Sequence, residues 1–182
     1  SKLGKAIVPK ETTAVISEQK HLAHDVIGFT LKPEKILTFN PGQYADIEFA
    51  ELSVVRSYSF STPAQADGSL NFQVRHVPGG LFSGWLFGGD RTGTTVTLRG
   101  PYGQFGLNES PDVMVCVAGG TGLAPIKCIL ESMTGTQRER DVFLFFGVRQ
   151  QRDLFCIEEM QALQADWGGN FELIPVLSEE PA

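Results

Sequence analysis

The amino-acid sequence predicts a β-barrel followed by an α/β unit with a parallel sheet. Short β-type segments separated by glycine, proline and aspartate turns fill the chain up to about residue 108. Beyond that point, continuous apolar segments alternate with segments of helical periodicity. This change of pattern predicts a six-stranded antiparallel barrel and then an incomplete, doubly wound parallel sheet.

Turn-forming residues mark the strands of the predicted barrel. Asp67-Gly68 is a hairpin signal, and Pro33, Pro63 and Gly100-Pro101 each follow a β-type segment. Regular spacing of short strands is typical of a closed antiparallel barrel. The predicted strands span residues 12–19, 26–32, 43–49, 54–61, 70–77 and 94–99, with a short helix over 81–87.

The second unit follows a β-α-β-α-β pattern. Its first strand, 113–118, is continuously apolar, which predicts burial on both faces of a sheet. Pro125 suits the first turn of the next helix, and Asp153 is the predicted N-cap of a second helix. Pro175 cannot donate to a strand ladder, so the last strand is predicted at a sheet edge. The remaining predicted segments are a helix over 126–133, a strand over 141–148, a helix from 153 to 165 and a strand over 171–177.

Composition excludes several classes of protein. Of the 182 residues, 42% are hydrophobic and 20% charged, and the net charge of −6 argues against nucleic acid or an anionic membrane as partner. No apolar segment reaches the length of about 18 residues that a membrane span needs. Cys116, Cys128 and Cys156 are too few and too far apart for a disulfide framework or metal site. We therefore expect a cytoplasmic protein with no metal of its own.

The first candidate site lies on the predicted strand that contains Arg56, Ser57, Tyr58 and Ser59. Side chains alternate along a strand, so Arg56 and Tyr58 share one face and the two serines share the other. A ring beside a guanidinium can hold a flat, anionic ligand. An edge strand with a solvated arginine and a half-buried tyrosine is the alternative.

Two glycine-rich segments are further candidates. Gly79-Gly80 precedes a short helix, where backbone amides can approach a phosphate, although a turn that needs a positive φ explains the glycines equally well. Gly119 to Pro125 follows a buried strand and opens a helix, but Pro125 stands where the dinucleotide fingerprint has its last glycine. Arg149, rather than an acidic residue, follows the next strand, and Asp153 is the nearest acid.

Together these motifs resemble the ferredoxin–NADP reductase superfamily, and most closely the reductase components of bacterial multicomponent oxygenases. The resemblance covers about residues 12–178. Its matching segments are Arg56-Ser57-Tyr58-Ser59, Arg75 to Ser83, Gly100-Pro101-Tyr102-Gly103-Gln104-Phe105, Gly119 to Pro125, Phe146 to Arg149 and Asp153-Leu154-Phe155.

The resemblance implies a linker over 1–10, an FAD-binding barrel over 11–108 and the N-terminal half of an NAD(P)H-binding domain over 109–182. The family has a further Cys-Gly-Pro segment on a later strand, so we expect this chain to be part of a longer protein. FAD is implied as the bound flavin, and NADH is preferred to NADPH as the hydride donor.

The resemblance also implies a role for individual residues. Tyr58 is expected to stack on the isoalloxazine ring, and Arg56 to pair with the FAD pyrophosphate. Ser59, near flavin N5, and Thr121, between flavin and nicotinamide, are the expected catalytic residues. The other expected cofactor-binding residues are Ser57, Arg75, His76, Val77, Gly80, Leu81, Phe82, Ser83, Gly120, Gly122 and Arg149.

The implied activity is hydride transfer from NAD(P)H to FAD, followed by single-electron transfer to an iron–sulfur partner of an oxygenase system. Two alternatives use the same fold. One is a free-flavin or cytochrome reductase module, and the other is a non-catalytic flavin-binding subunit of an electron-transfer complex.

Overall fold

The computed structural model describes residues 6–180 and contains two β-sheets. The first five residues of the predicted linker over 1–10 lie outside the described part, and so do residues 181 and 182. The first sheet has six strands in the order β4-β3-β6-β1-β2-β5, and the second has three in the order β7-β8-β9. Among the described helices, none is long and apolar enough to cross a membrane.

Antiparallel pairing joins every neighbouring pair of strands in the first sheet, which confirms the predicted barrel. The backbone amide of Ser61 donates to the carbonyl of Asn71 (2.9 Å) and so links the two edge strands. The barrel consists of β1 (Lys10–Ala23), β2 (Val26–Pro33), β3 (Tyr44–Phe49), β4 (Val54–Ser59), β5 (Leu70–Arg75), α1 (Leu81–Phe87) and β6 (Thr95–Tyr102).

The strand boundaries differ from the prediction where a strand has two neighbours. β1 begins inside the predicted linker, at Lys10, and continues beyond residue 19 to Ala23. Its first half pairs with β6 and most of its length pairs with β2, so backbone hydrogen bonds extend it past the sequence pattern. β6 likewise runs through Gly100-Pro101 to Tyr102, whose partner is Tyr44 on β3.

Aromatic rings fill the core of the barrel. Phe29 stacks on Phe72 with 5.4 Å between ring centroids, and Phe49 stacks on Phe82 of α1 at 3.9 Å. None of these four residues is more than 2% exposed, and offset stacking adds to their area burial. The core therefore fixes α1 against the inner side of β3 and β4.

The second sheet is parallel, with helices between its strands, as predicted. Its elements are β7 (Met114–Gly119), α2 (Leu123–Ser132), β8 (Val142–Val148), α3 (Ile157–Ala165) and β9 (Phe171–Leu177). Pro125 lies in the first turn of α2, and β9, which contains Pro175, lies at an edge of the described sheet.

The prediction that the first parallel strand is buried on both faces is wrong. Val115 and Val117 of β7 are 63% and 73% exposed, while Ala118 is buried. Both helices pack in one core cluster with Leu144 and Phe146 of β8. Two successive crossovers in the same direction place their helices on the same face, so the opposite face has no cover within residues 6–180.

The predicted cap of the second helix is also wrong. Asp153 lies in a 3₁₀ turn, and α3 begins after Cys156, whose φ is +57°. The intervening Phe155 is 3% exposed, and its ring meets the Phe146 ring edge-on at 5.3 Å. Burial of Phe155 requires the extended backbone that separates Asp153 from the helix.

Candidate functional site

The strand β4 carries Arg56 and Tyr58 on one face, as alternation predicts. Tyr58 is paired with Ala45 of β3, a buried core position, and its ring contacts the rings of Phe29 and Phe82 at centroid distances of 6.2 and 5.7 Å. Burial raises the pKa of Tyr58 to about 12, against the opposing charge of Arg56. Arg56 itself is exposed and donates only to the adjacent Val55 carbonyl (2.9 Å).

The two serines of this strand belong to its other face. Ser57 donates its hydroxyl to the Asp46 carboxylate on the neighbouring strand, so that hydroxyl is already engaged. Ser59 is half-buried at the end of β4, opposite Tyr44. Tyr44 is tilted against Tyr102 with 5.8 Å between the ring centroids, which places an aromatic pair beside Ser59.

The turn before α1 is held together by Ser83. Its buried hydroxyl accepts from the Val77 amide (3.0 Å) and donates to the Val77 carbonyl (3.3 Å). Gly79 has a φ of +74°, and a Cβ on Gly80 would lie 2.7 Å from the Ser83 hydroxyl, so the turn itself requires both glycines. The phosphate interpretation stays a prediction. The Ser83 side chain therefore shapes this turn, and its expected contact with the cofactor stays a prediction.

The neighbouring predicted residues divide by burial. Val77 and Leu81 are 55% and 64% exposed, so they offer apolar surface beside the turn. Phe82 is 1% exposed, and its side chain belongs to the barrel core. Only its backbone is free to meet a ligand. The His76 ring packs on Phe87 at 5.0 Å between ring centroids.

The glycine-rich turn after β7 is open. A Cβ on Gly119 or Gly122 would meet nothing within 4 Å, so the backbone faces free space at both positions. Gly120 has a φ of +52°, and a Cβ placed on it would lie 3.6 Å from the Arg75 guanidinium of the barrel. Thr121 is half-buried in the same turn. The fold therefore brings the segment that begins at Arg75 next to the glycine-rich segment that begins at Gly119.

A cavity of about 270 Å³ lies at the carboxyl ends of the parallel strands, between them and the barrel. This is the position where ligands bind in open α/β sheets. Both halves of the chain contribute to its wall. The lining residues are Asp25, Val26, Arg75, Gly119, Gly120, Gly147, Val148, Arg149, Asp153, Phe155, Val176 and Ser178.

Charged residues of the cavity are paired across the two halves of the chain. Asp25, in the turn between β1 and β2, lies 3.2 Å from the Arg75 Nε and 3.7 Å from the Arg149 Nη2. His24 Nε2 is hydrogen-bonded to the Asp153 carboxylate. That hydrogen bond, together with the Gln150 amide, holds the pKa of Asp153 below its usual range despite desolvation.

Sequence reasoning missed His24 and Asp25 as site residues. They occupy a tight turn with no motif around it. Asp25 lines the cavity and His24 contacts Asp153 of its wall, because the β1–β2 hairpin packs against the second sheet. Val26, the next residue, belongs to the core cluster of that sheet. The sequence pattern ended the first strand at residue 19, four residues before β1 ends, so it gave no signal for this turn.

The residues present fit a dinucleotide flavin. Such a ligand needs a ring platform, an apolar contact and two anion contacts. Tyr58 and Leu81 supply the first two, and Arg56 is a cation with no carboxylate partner among the described residues. The turn at Gly79-Gly80 precedes α1, and its backbone amides are the expected second anion contact.

An antiparallel barrel with these groups, joined to a parallel sheet with an open glycine turn, defines a two-part oxidoreductase that binds flavin and nicotinamide. The family model described as Oxidoreductase FAD-binding domain matches residues 13–106. The family model described as Oxidoreductase NAD-binding domain matches residues 114–182. The chain therefore belongs to the FAD-binding oxidoreductase family, with an NAD-binding domain after the barrel, and the expected superfamily is confirmed.

Two known relatives are electron transfer components of oxygenases. The chain is 72% identical, over 178 residues, to the xylene/toluene monooxygenase electron transfer component XylA of Pseudomonas putida, covering 98% of this chain and 51% of that protein. It is 36% identical to the toluate 1,2-dioxygenase electron transfer component of Pseudomonas putida, covering 84% of this chain and 46% of the relative. The chain thus spans about half the length of the curated relatives it matches.

A solved structure supports the same fold. The cytochrome P450 reductase GcoB of Amycolatopsis superposes with a TM-score of 0.87 at 34% identity. The alignment covers 96% of this chain and 54% of that one.

Proposed function

We propose that the chain is the flavin-binding and nicotinamide-receiving part of an NAD(P)H-dependent reductase. In this proposal the electrons pass to an iron–sulfur partner in an oxygenase system. The supporting relatives are named as electron transfer components of a monooxygenase and of a dioxygenase. The observation that carries the proposal is the shared cavity, in which barrel residues such as Arg75 face the glycine turn at Gly120. A site built by both halves suits two cofactors that must meet.

The barrel residues hold the flavin. The Tyr58 ring, braced by Phe29 and Phe82, provides a fixed stacking surface, and Arg56 is free to pair with a phosphate. Backbone groups at Gly80 and Leu81, next to the turn that Ser83 stabilises, are the second proposed phosphate contact. Ser59 and the Tyr44–Tyr102 pair border the same strand end.

The second sheet receives the nicotinamide dinucleotide. Gly120 and Gly122 leave room for its pyrophosphate, and Thr121 lies between them in the turn that faces Arg75. Arg149 follows β8 at the cavity edge and faces the adenosine half. FAD, when bound, would supply the chemistry that connects a hydride donor with a one-electron acceptor, and the protein would orient the two cofactors and exclude competing reactions.

We also propose a cytoplasmic location. All three cysteines are unpaired, and burial raises the pKa of Cys128 to about 12 and that of Cys156 to about 11. Such thiols suit a reducing compartment.

The test is anaerobic mixing of the full natural chain, loaded with FAD, with NADH. We expect the flavin absorbance to bleach in a single turnover. Gly122→Val should slow that reduction roughly a hundredfold, because the side chain fills the pyrophosphate path and misplaces the nicotinamide. Its FAD content should stay unchanged, since Gly122 has an ordinary φ of −60° and open space around it.

Gly89→Val is the matched control. It adds the same side chain at a barrel position where the nearest neighbour of the new Cβ is an Arg91 side chain at 3.7 Å. Unaltered protein that binds FAD but is not reduced by either NADH or NADPH would instead indicate a docking subunit without reductase activity.

A further inference from the structure

Proteins with this kind of sheet recognise the adenosine ribose of a nicotinamide dinucleotide next to the end of the second parallel strand. Proteins that use NAD place an acidic residue there to meet the 2′-hydroxyl, and proteins that use NADP place an arginine to meet the 2′-phosphate. In this chain Arg149 follows β8, and its side chain is half exposed at the cavity edge. From its local sequence alone, the site favours a 2′-phosphate.

The turn between β1 and β2 places a negative charge beside Arg149. The Asp25 carboxylate lies 3.7 Å from the Arg149 guanidinium and 3.2 Å from that of Arg75. Its side chain is only 15% exposed, so its charge is poorly screened by water. The backbone carbonyl of Asp25 accepts from the His76 amide (2.8 Å), which fixes the turn on the barrel.

The other acid in the cavity is already engaged. One carboxylate oxygen of Asp153 meets His24 and the other accepts from the Gln150 amide (3.0 Å). Asp153 is therefore held as a structural group, but it still adds negative charge. The lining includes two arginines and two aspartates, so no net positive charge remains to attract a phosphate.

We infer that Asp25, contributed by the FAD-binding barrel, sets the preference for NADH over NADPH. It holds Arg149 in an ion pair and presents a carboxylate where the 2′-phosphate of NADPH would lie. A 2′-phosphate would have to break that pair and approach Asp25, whereas a 2′-hydroxyl can donate to a carboxylate. The inference rests on the proposed reductase function, since it concerns the same dinucleotide site.

The test measures binding of two adenosine fragments, 5′-AMP and 2′,5′-ADP, to the full natural chain loaded with FAD. Isothermal titration gives a dissociation constant for each without any hydride transfer. The unaltered protein should bind 2′,5′-ADP no more tightly than 5′-AMP. Asp25→Asn keeps the shape of the side chain and should shift the affinity ratio about tenfold toward 2′,5′-ADP. The shift should shrink at high ionic strength.

Two further variants keep the result interpretable. Arg149→Gln added to Asp25→Asn should remove the gain, because the freed guanidinium is the group that meets the phosphate. Asp67→Asn is the matched control, since Asp67 is also a turn aspartate of the barrel, 3.7 Å from the Lys32 ammonium, and lies outside the cavity. It should leave the ratio unchanged.

An unchanged ratio in Asp25→Asn overturns the inference, as does tighter binding of 2′,5′-ADP by the unaltered protein or failure of every variant to bind either fragment. Steady-state kcat/KM for NADH and NADPH should follow the fragment ratio. If neither dinucleotide reduces the flavin, the proposed reductase function fails, while the fragment titrations still decide the role of Asp25.

Discussion

At the scale of single residues, Arg56 and Tyr58 share a face of β4 but have different surroundings. Tyr58 is braced by two core rings, while the Arg56 guanidinium contacts only a carbonyl of its own strand. The Tyr58 ring is therefore fixed by the core, and under the proposed function the phosphate of the flavin is the charged partner of Arg56.

Arg56→Ala should weaken FAD retention more than Tyr58→Phe. The first loses a charge-assisted pair of about 1.5–3 kcal/mol, and the second keeps the stacking ring and loses a hydroxyl. FAD content after gel filtration, and the dissociation constant for added FAD, measure the difference. Arg152→Ala, at an exposed arginine outside the barrel, is the control. Equal FAD loss in Arg56→Ala and Tyr58→Phe would contradict the assigned roles.

Asp153 has a structural role, because its side chain is hydrogen-bonded to His24 of the barrel. Its hydrogen bond with His24 lowers its pKa below the value of about 3.9 expected for an unfolded chain. The stabilisation is therefore complete above that value and is lost as the pH falls through the lower, folded pKa. Because His24 belongs to the barrel, acid weakens a contact between the two halves.

Asp153→Asn should lower the free energy of unfolding at pH 7 by about 1–3 kcal/mol, because a buried hydrogen-bonded charge is lost. The difference from the unaltered protein should shrink as the pH falls through the folded pKa of Asp153, since its carboxylate then protonates. Urea unfolding at several pH values measures it. Asp166→Asn, at a largely exposed carboxylate, should show a much smaller effect. A difference that does not depend on pH would contradict this role.

At the scale of elements, the two faces of the second sheet differ. One face packs in a single core cluster with α2 and α3, and it includes Leu144, which is fully buried. The other carries Val115 and Val117, both largely exposed. Strand β7 is therefore apolar on both sides, yet only one side contributes to the packing of residues 6–180.

Leu144→Ala should lower the free energy of unfolding of the 182-residue chain by about 2–5 kcal/mol, as for other buried leucines. Val117→Ala should change it by only about 0.5 kcal/mol, because an exposed side chain leaves no cavity. Chemical denaturation of both variants gives the comparison. A large loss for Val117→Ala would show that its face is covered.

At the scale of the whole molecule, the barrel and the second sheet close on one cavity. Barrel residues Asp25 and Arg75 line it together with Gly120 and Arg149. The proposed flavin contacts at Arg56 and Gly80 belong to the barrel, so under the proposed function the flavin has two separate anion contacts and the nicotinamide dinucleotide has another. FMN, with a single phosphate, needs only one of the barrel contacts.

The purified protein should therefore contain FAD rather than FMN. Mass analysis of the flavin released by denaturation identifies it directly. As a control, the flavin is removed and the protein is refolded with equal concentrations of FAD and FMN. This excludes the possibility that the flavin found reflects only what the expression host provides. FMN as the sole bound species would contradict the two-contact arrangement.

Much of this arrangement was predictable because it depends on local chemistry. Alternation placed Arg56 and Tyr58 on one face of a strand, and the glycines after an apolar strand predicted the turn that opens α2. Turn residues predicted six barrel strands, and the switch to helical periodicity predicted the parallel sheet. The helix cap at Asp153 and the burial of the strand 113–118 on both faces were predicted wrongly, because each was interpreted without its neighbours in the fold.

Sequence by itself determined the elements, their order and the residue types that suit a flavin and a nicotinamide. The tertiary structure alone decided which side chains meet. Asp25 and Arg149 are far apart in the chain and carry no shared motif, yet they form an ion pair across the cavity. Tertiary packing also leaves Val117 exposed. In the barrel, the Ser83 hydroxyl is hydrogen-bonded to the Val77 amide of its own turn. Periodicity reports how a residue suits its own strand or helix, whereas burial and charge pairing depend on what the rest of the chain brings next to it.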